Sequence, residues 1–314
     1  MAGPFIGSEA LAEGRLTRHR LRTRYDAIHP DVYVGKGVRL TAPSRAIAAW
    51  LWTGREGAAA GQSAAALLGA KWVDDDAPAQ VLHANRRAPR SDDHGSVRQG
   101  IECWSDRFEH DEVQPIRGVT VTTPARTALD LACRLPVEDA VVAIDALARA
   151  TGLDMADVVL LADRYRGRRS IRRALFALGL VDPGAESPQE TRLRLLYIRA
   201  GFPRPETQIR VRDEYGYLTA VLDMGWRDVM VAADYEGEHH RLSRRTFNND
   251  IRRHAVVTEL GWDDMRITVE DTDHVVVERA RRAFERRGEI VDVWAGRRFP
   301  WDQPSNVRSR RRTG

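Results

Sequence analysis

The sequence predicts a mixed α/β protein in two parts: a mainly helical N-terminal region that opens with an abbreviated winged helix, and a second domain in the order α-β-β-β-α-β. Three observations carry this. The 314 residues are about twice a typical domain length, and 43% of them are hydrophobic, enough for two cores. A stretch rich in proline, glycine and polar residues, Val181–Ser187, follows a helical run that ends at Gly179. Beyond it, three consecutive extended segments are bracketed by amphipathic helices.

Residues 1–52 read as two short helices, a strand at Asp31–Val34 and a helix at Pro43–Trp52, with Leu11, Leu16 and Leu21 as a small apolar seam. Arg18 and Arg22, four apart, share a helix face with the spacing that a DNA-recognition helix uses for groove contacts. Residues 53–180 continue with a helix at Gln62–Leu68 and strands at Ala79–His83 and Gly118–Val121. A helix opened by the Thr123-Pro124 cap follows, then a second from Val137 to Ala150.

The second domain, 187–290, opens at Ser187-Pro188-Gln189-Glu190, a capping box that leads a helix with Leu193, Leu196 and Ala200 on one face and Gly201 as its stop. Strands are expected at Thr207–Arg212, at Tyr217–Trp226 after a turn at Asp213–Gly216, and at Val229–Glu236 after a two-residue turn at Arg227-Asp228. A helix over Thr246–Leu260, a strand over Met265–Val269 and a helix over Thr272–Arg287 complete the set.

Composition narrows the function classes. No run of about eighteen apolar residues exists, so a membrane span is excluded. The first ten residues lack a basic region followed by an apolar one, so a cytoplasmic protein is expected. Cys103 and Cys133 lie in no metal-ligand spacing, which excludes a disulfide framework and a zinc ribbon. Gly35-Lys36-Gly37 is too short for a phosphate-binding loop, and no Gly-x-Ser-x-Gly elbow occurs. The net charge of +4 is unevenly placed: residues 297–314, a basic tail, hold six arginines against Asp302. Arg15–Arg24 and Arg164–Arg173 are two further arginine clusters, and such blocks attract phosphates.

The strongest chemical feature is an acidic trio. Asp234 and Glu236, two apart on one strand, point to one face of the sheet. A two-residue turn at Arg227-Asp228 places Asp223 opposite Ala232 and makes Asp234 its diagonal neighbour, about 7–8 Å away between backbones. Like charges crowded on one face are stabilised by a hard cation such as Mg²⁺ or Mn²⁺. The same acids could instead decorate a solvated face or pair with Arg210 and Arg253. The apolar neighbours Val221, Leu222, Val231 and Ala233 point to a buried central hairpin.

The element order, with Glu190 on the leading helix, Asp223 on one strand and Asp234-Tyr235-Glu236-Gly237 on the next, resembles the PD-(D/E)XK nuclease superfamily. The run from Asp234 to His240, followed by Asp250, Arg253, Gly261-Trp262 and Arg266, is similar to the DUF559 group related to very-short-patch-repair endonucleases. The resemblance covers about residues 187–285. It implies a restriction-endonuclease-like fold and a site in which Glu190, Asp223, Asp234, Glu236 and His240 carry catalysis. Asp223, Asp234 and Glu236 would hold Mg²⁺ or Mn²⁺, and Arg253 and Arg266 would meet the substrate phosphate. The third strand exchanges the usual order of the longer and shorter acid.

The superfamily usually has a lysine two residues after the second acid. This chain has no lysine after Lys71, so either His240 handles the proton or catalysis is lost. Glu190 also serves as the N3 residue of its capping box. Upstream, Gly61-Gln62-Ser63-Ala64 and the helix Thr123–Leu135 resemble AbiEi-like antitoxins and regulators. Two functions follow from these resemblances: a metal-dependent endonuclease acting on DNA phosphodiester bonds, or a non-catalytic antitoxin-type transcriptional regulator that keeps the nuclease fold as a scaffold. DNA is the partner in the first, and DNA or a partner protein such as a cognate toxin in the second.

Overall fold

Side-chain hydroxyls mark where many of the helices begin. Thr17 accepts from the Arg20 amide, Thr41 from Ser44, Thr123 from Arg126, Ser187 from Glu190 and Thr272 from Val275, each satisfying an amide that has no partner inside its helix. Residues 3–83, 100–236, 253–294 and 296–300 are described by a computed structural model of the chain. His239, His240, Asp250, the expected helical residues 246–252 and the basic tail from 301 lie outside the described residues. The fold is mixed α/β. Among the described residues, no helix is long and apolar enough to cross a membrane.

The chain divides into two units, Met1–Leu135 with Asp139–Pro183, and Pro136–Glu138 with Gly184–Gly314. The first unit opens with β1 (Phe5–Ile6), α1 (Gly7–Ala12), α2 (Arg18–Arg24), β2 (Tyr25–His29) and β3 (Val32–Gly35). The three strands form an antiparallel sheet in the order β1-β3-β2. Only one of these strands, at Asp31–Val34, is expected from the sequence. β1 is two residues long, and Tyr25–His29 shows no apolar alternation: Tyr25 packs on Phe5, while Ile28 and His29 pack toward a neighbouring helix, α3 (Ala42–Trp52).

After α3 come β4 (Ala58–Ala59), α4 (Gly61–Leu67), β5 (Ala79–His83), β6 (Ile101–Ser105), β7 (Val113–Ile116) and β8 (Val119–Thr122). The helices α5 (Pro124–Arg134), α6 (Val137–Thr151), α7 (Met155–Arg164) and α8 (Ile171–Leu178) follow. The second sheet runs β6-β5-β4-β8-β7, and Val119, Val121 and Ala59 from it pack on Ala46, Trp50, Ala64 and Leu67 of α3 and α4. α5 is buried nearly all round, including Arg126 and Asp130, each 0% exposed.

The second unit contains α9 (Pro188–Ala200), β9 (Glu206–Arg212), β10 (Leu218–Trp226), β11 (Val231–Glu236), α10 (residues 253–259), β12 (Asp263–Thr268) and α11 (Asp273–Arg286). Its sheet runs β12-β11-β10-β9, with β11 and β12 parallel and the other pairs antiparallel. Tyr197, Phe202, Trp226 and Phe284 meet edge-to-face or tilted at 5.0–5.7 Å, an aromatic centre for the core formed with α9 and α11.

One expectation needs correction. Trp226 pairs with Val231, Gly225 with Ala232 and Met224 with Ala233, so the β10–β11 connection has four residues rather than two. A single 3₁₀ turn at Arg227–Val229 and a left-handed Met230 (φ 55°) fill it. Extending the register by one residue puts Asp223 opposite Asp234, not opposite Ala232.

Candidate functional site

The corrected register sets the geometry of the acids in the second unit. Asp223 N donates to Asp234 Oδ1 at 2.8 Å, and Tyr235 N donates to Asp223 Oδ2 at 2.8 Å. Each carboxylate thus takes a hydrogen bond from the opposite strand, and the two side chains are held together on one face. Burial pushes the Asp223 carboxyl above the ordinary carboxylate range, with further contributions from the charges of Asp234 and Glu190. Asp234 is also raised, by burial and by Asp264, against the pull of Arg253. Removal from water together with like charge favours a pair that shares a proton near neutrality.

The remaining expected site residues divide. Arg253, on α10, binds Asp234 Oδ2 and donates to the Val221 carbonyl at 2.6 Å. Of Arg210 and Arg253, it is Arg253 that pairs with the acids. Arg266 on β12 pairs with Glu236. Glu190 accepts from the Glu186 amide at 2.7 Å and from Ser187 Oγ at 2.9 Å, closing its capping box. Asp264, which sequence reasoning missed, has a side chain only 1% exposed. Its Oδ2 lies 3.2 Å from His254 Nδ1 and 3.6 Å from Arg266 Nε. Its alternating position on β12 was the available signal.

The donor set can be weighed against a divalent cation. Asp234 is bound by one amide and one guanidinium, Glu236 by another guanidinium, and Glu190 by its own helix cap. Among the described residues, no three His, Cys, Asp or Glu side chains converge as a metal centre requires. As arranged, these residues do not fit Mg²⁺ or Mn²⁺. What they build is a charge-compensated, buried carboxyl pair.

A second feature lies on α2. Arg18, Arg20, Arg22 and Arg24 are all exposed, as are His19 and Thr23, while Leu21 is buried against Phe5 and Ala10. None of the four guanidinium groups has a carboxylate partner among the described residues. Elsewhere in the first unit, Arg45, Arg55, Arg126, Arg134, Arg164, Arg166 and Arg168 all carry ion pairs. α2 is thus a short helix with one apolar anchor and uncompensated positive charge around the rest of its surface. It enters from β1 and α1 and leaves into the β2–β3 hairpin, an order that fits an abbreviated winged helix.

A third feature was not foreseen. On α5, Arg126 donates through Nε to both Asp130 oxygens at 3.1 Å, through Nη2 to Asp106 at 2.9 Å, and through Nη1 to Tyr165 Oη at 2.7 Å and to Glu112. Arg168 adds a 2.7 Å bond to Asp130. Burial opposes the charge on Arg126, but Asp130 and Glu112 more than offset it and raise its pKa. The network ties the segment before β7 to α5 and the end of α7. The i,i+4 spacing of Arg126 and Asp130 was its one trace in the sequence.

The uncharacterized proteins Rv2248 and MT2308 of Mycobacterium tuberculosis are each 33% identical over 159 residues. That match takes in 51% of this chain and 58% of each relative, so the chain spans little more than half their length. A crystal structure of the RV2827C protein from Mycobacterium tuberculosis aligns over 67% of this chain and 84% of that one, with 15% identity and a TM-score of 0.38. Residues 57–180, which contain the second sheet and the Arg126 network, match the family described as the AbiEi antitoxin C-terminal domain.

Proposed function

We propose that this protein is a DNA-binding regulator of the antitoxin type, in which α2 and the adjoining hairpin bind duplex DNA, residues 57–180 form the AbiEi-like body, and the second unit is a nuclease-like scaffold. The observation that carries this reading is the uncompensated charge of α2: four exposed arginines without a carboxylate among the described residues. Unpaired guanidinium groups lose little on meeting phosphates, because no ion pair has to be broken first. The match to an antitoxin domain family supports the same reading and adds a cognate toxin protein as a partner. Electrophoretic mobility of a duplex fragment tests it: Arg18→Ala with Arg22→Ala should weaken binding roughly tenfold, since two charge-assisted hydrogen bonds to phosphate are removed. Equal affinity of variant and wild type would remove α2 from the interface.

A second reading, a metal-dependent endonuclease, is favoured by one observation, the juxtaposed buried pair Asp223 and Asp234 in an α-β-β-β-α-β unit. It requires Arg253 and Arg266 to release their acids to a cation. Nicking of supercoiled plasmid with Mn²⁺ by the wild type, abolished in Asp223→Asn, would bring it forward. Thermal melts indifferent to Mn²⁺ and Mg²⁺ would set it aside.

A further inference from the structure

In the first unit, residues of β2, α3 and β5 line a cavity of about 160 Å³. Ile28, Leu40, Ala48 and Ala79 give it apolar walls, while His29 and Arg45 are its two nitrogen-bearing groups, and no carboxylate lines it among the described residues. An engineered protein cavity of about 150 Å³ holds a benzene molecule, so this volume suits one ring-sized body.

Arg45 is fixed in place. Its Nε donates to the Asp75 carbonyl at 2.6 Å and its Nη2 to the exposed Asp76 at 3.2 Å, which leaves Nη1 without an acceptor among the described residues. His29 Nδ1 is buried with no hydrogen-bond partner among them. A buried nitrogen left without a partner costs free energy that a bound acceptor or donor recovers. Burial and the Arg45 charge both lower the His29 pKa, keeping the ring neutral at neutral pH. An anionic group between the two side chains would reverse the second of these effects.

We infer that this cavity is a binding site for a small monocarboxylate whose apolar body is no larger than a benzene ring, with the carboxylate held by Arg45 and His29 and the ring against Ile28, Leu40, Ala48 and Ala79. Occupancy of the site does not depend on α2 binding DNA. Charge and shape are both required, and each can be removed separately.

Benzoate is the probe, used with the full-length chain. It should raise the melting temperature and shift the His29 ring resonances saturably. Benzyl alcohol, of the same shape without charge, and inorganic phosphate, with charge but no apolar body, should each bind at least tenfold more weakly. Arg45→Gln should weaken benzoate at least tenfold. If Arg45→Gln does not fold, Ala48→Leu serves instead, because a side chain filling the cavity should abolish benzoate binding while the circular dichroism spectrum stays native. A wild type that shows no saturable benzoate response would overturn the inference, as would phosphate binding as tightly as benzoate or an unchanged affinity in folded Ala48→Leu.

Discussion

Asp223 and Asp234 face each other across the β10–β11 hairpin, and one guanidinium, that of Arg253, is bound to the pair. Because burial and neighbouring like charge, that of Asp234 on Asp223 and that of Asp264 on Asp234, raise both carboxyls in the folded state, the unfolded chain releases its protons first as pH rises. Their contribution to stability is therefore fully present below the ordinary carboxylate range and declines as pH climbs toward neutrality. Asp223→Asn keeps the acceptor for the Tyr235 amide and supplies a donor to Asp234. It should stabilise the second unit by on the order of 1–2 kcal/mol at pH 8 and flatten the decline between about pH 5 and 8. Urea unfolding of both proteins at the two pH values measures this, and a destabilised variant at pH 8 would mean that ionised Asp223 is worth more than its repulsion. Arg126 behaves oppositely. Arg126→Met leaves Asp130 and Glu112 buried without their main counter-charge and should cost roughly 3–5 kcal/mol in denaturant unfolding. A cost under about 1 kcal/mol would show that Arg168 and water suffice.

At the scale of elements, the β10–β11 hairpin carries the tightest backbone approach near the acid pair. A Cβ on Gly225 would lie 2.5 Å from the Val231 carbonyl oxygen and 2.9 Å from Ala232 Cα, both backbone atoms that cannot swing aside. Gly225→Ala should destabilise by about 2 kcal/mol and disturb the Asp223–Asp234 hydrogen bonds, read as reduced amide protection at Asp223 and Tyr235. Normal protection in the variant would contradict the close packing. What could be read ahead of the structure follows range. The starts of α5 and α9 were legible because Thr123-Pro124 and Ser187-Pro188-Gln189-Glu190 act within four residues, and β10 and β11 were legible as a buried pair from their apolar content. The register was not, because Met230 adopts a left-handed backbone with a side chain that gives no sign of it. β1 and β4 escaped because two-residue strands have no periodicity, and the Arg126 network because two of its acids, Glu112 and Asp106, lie 14 and 20 residues away outside α5. The trio at Asp223, Asp234 and Glu236 was legible as a set of residue types, whereas its distribution between Arg253 and Arg266 depended on where α10 and β12 pack.

For the molecule as a whole, the proposed function turns on where positive charge lacks a partner. Surface arginines held by carboxylates, such as Arg55 with Glu9 or Arg164 with Asp111, are already neutralised and offer little to a polyanion. Arg18, Arg20, Arg22 and Arg24 remain available on a helix anchored by Leu21 alone. Binding to duplex DNA through this helix would release counterions for each phosphate neutralised, so the salt dependence of affinity reports how many phosphates the protein meets. Fluorescence anisotropy of a labelled duplex, titrated with the full-length chain between about 50 and 200 mM salt, measures that slope directly. For the fourfold variant Arg18→Ala, Arg20→Ala, Arg22→Ala and Arg24→Ala, the slope should flatten by up to roughly 3 to 4, about 0.9 for each phosphate no longer neutralised, with the melting temperature unchanged because all four side chains are exposed. A variant that binds DNA with the wild-type slope, or a wild type that binds no duplex at the lowest salt, would contradict the assignment of α2 as the DNA-binding element.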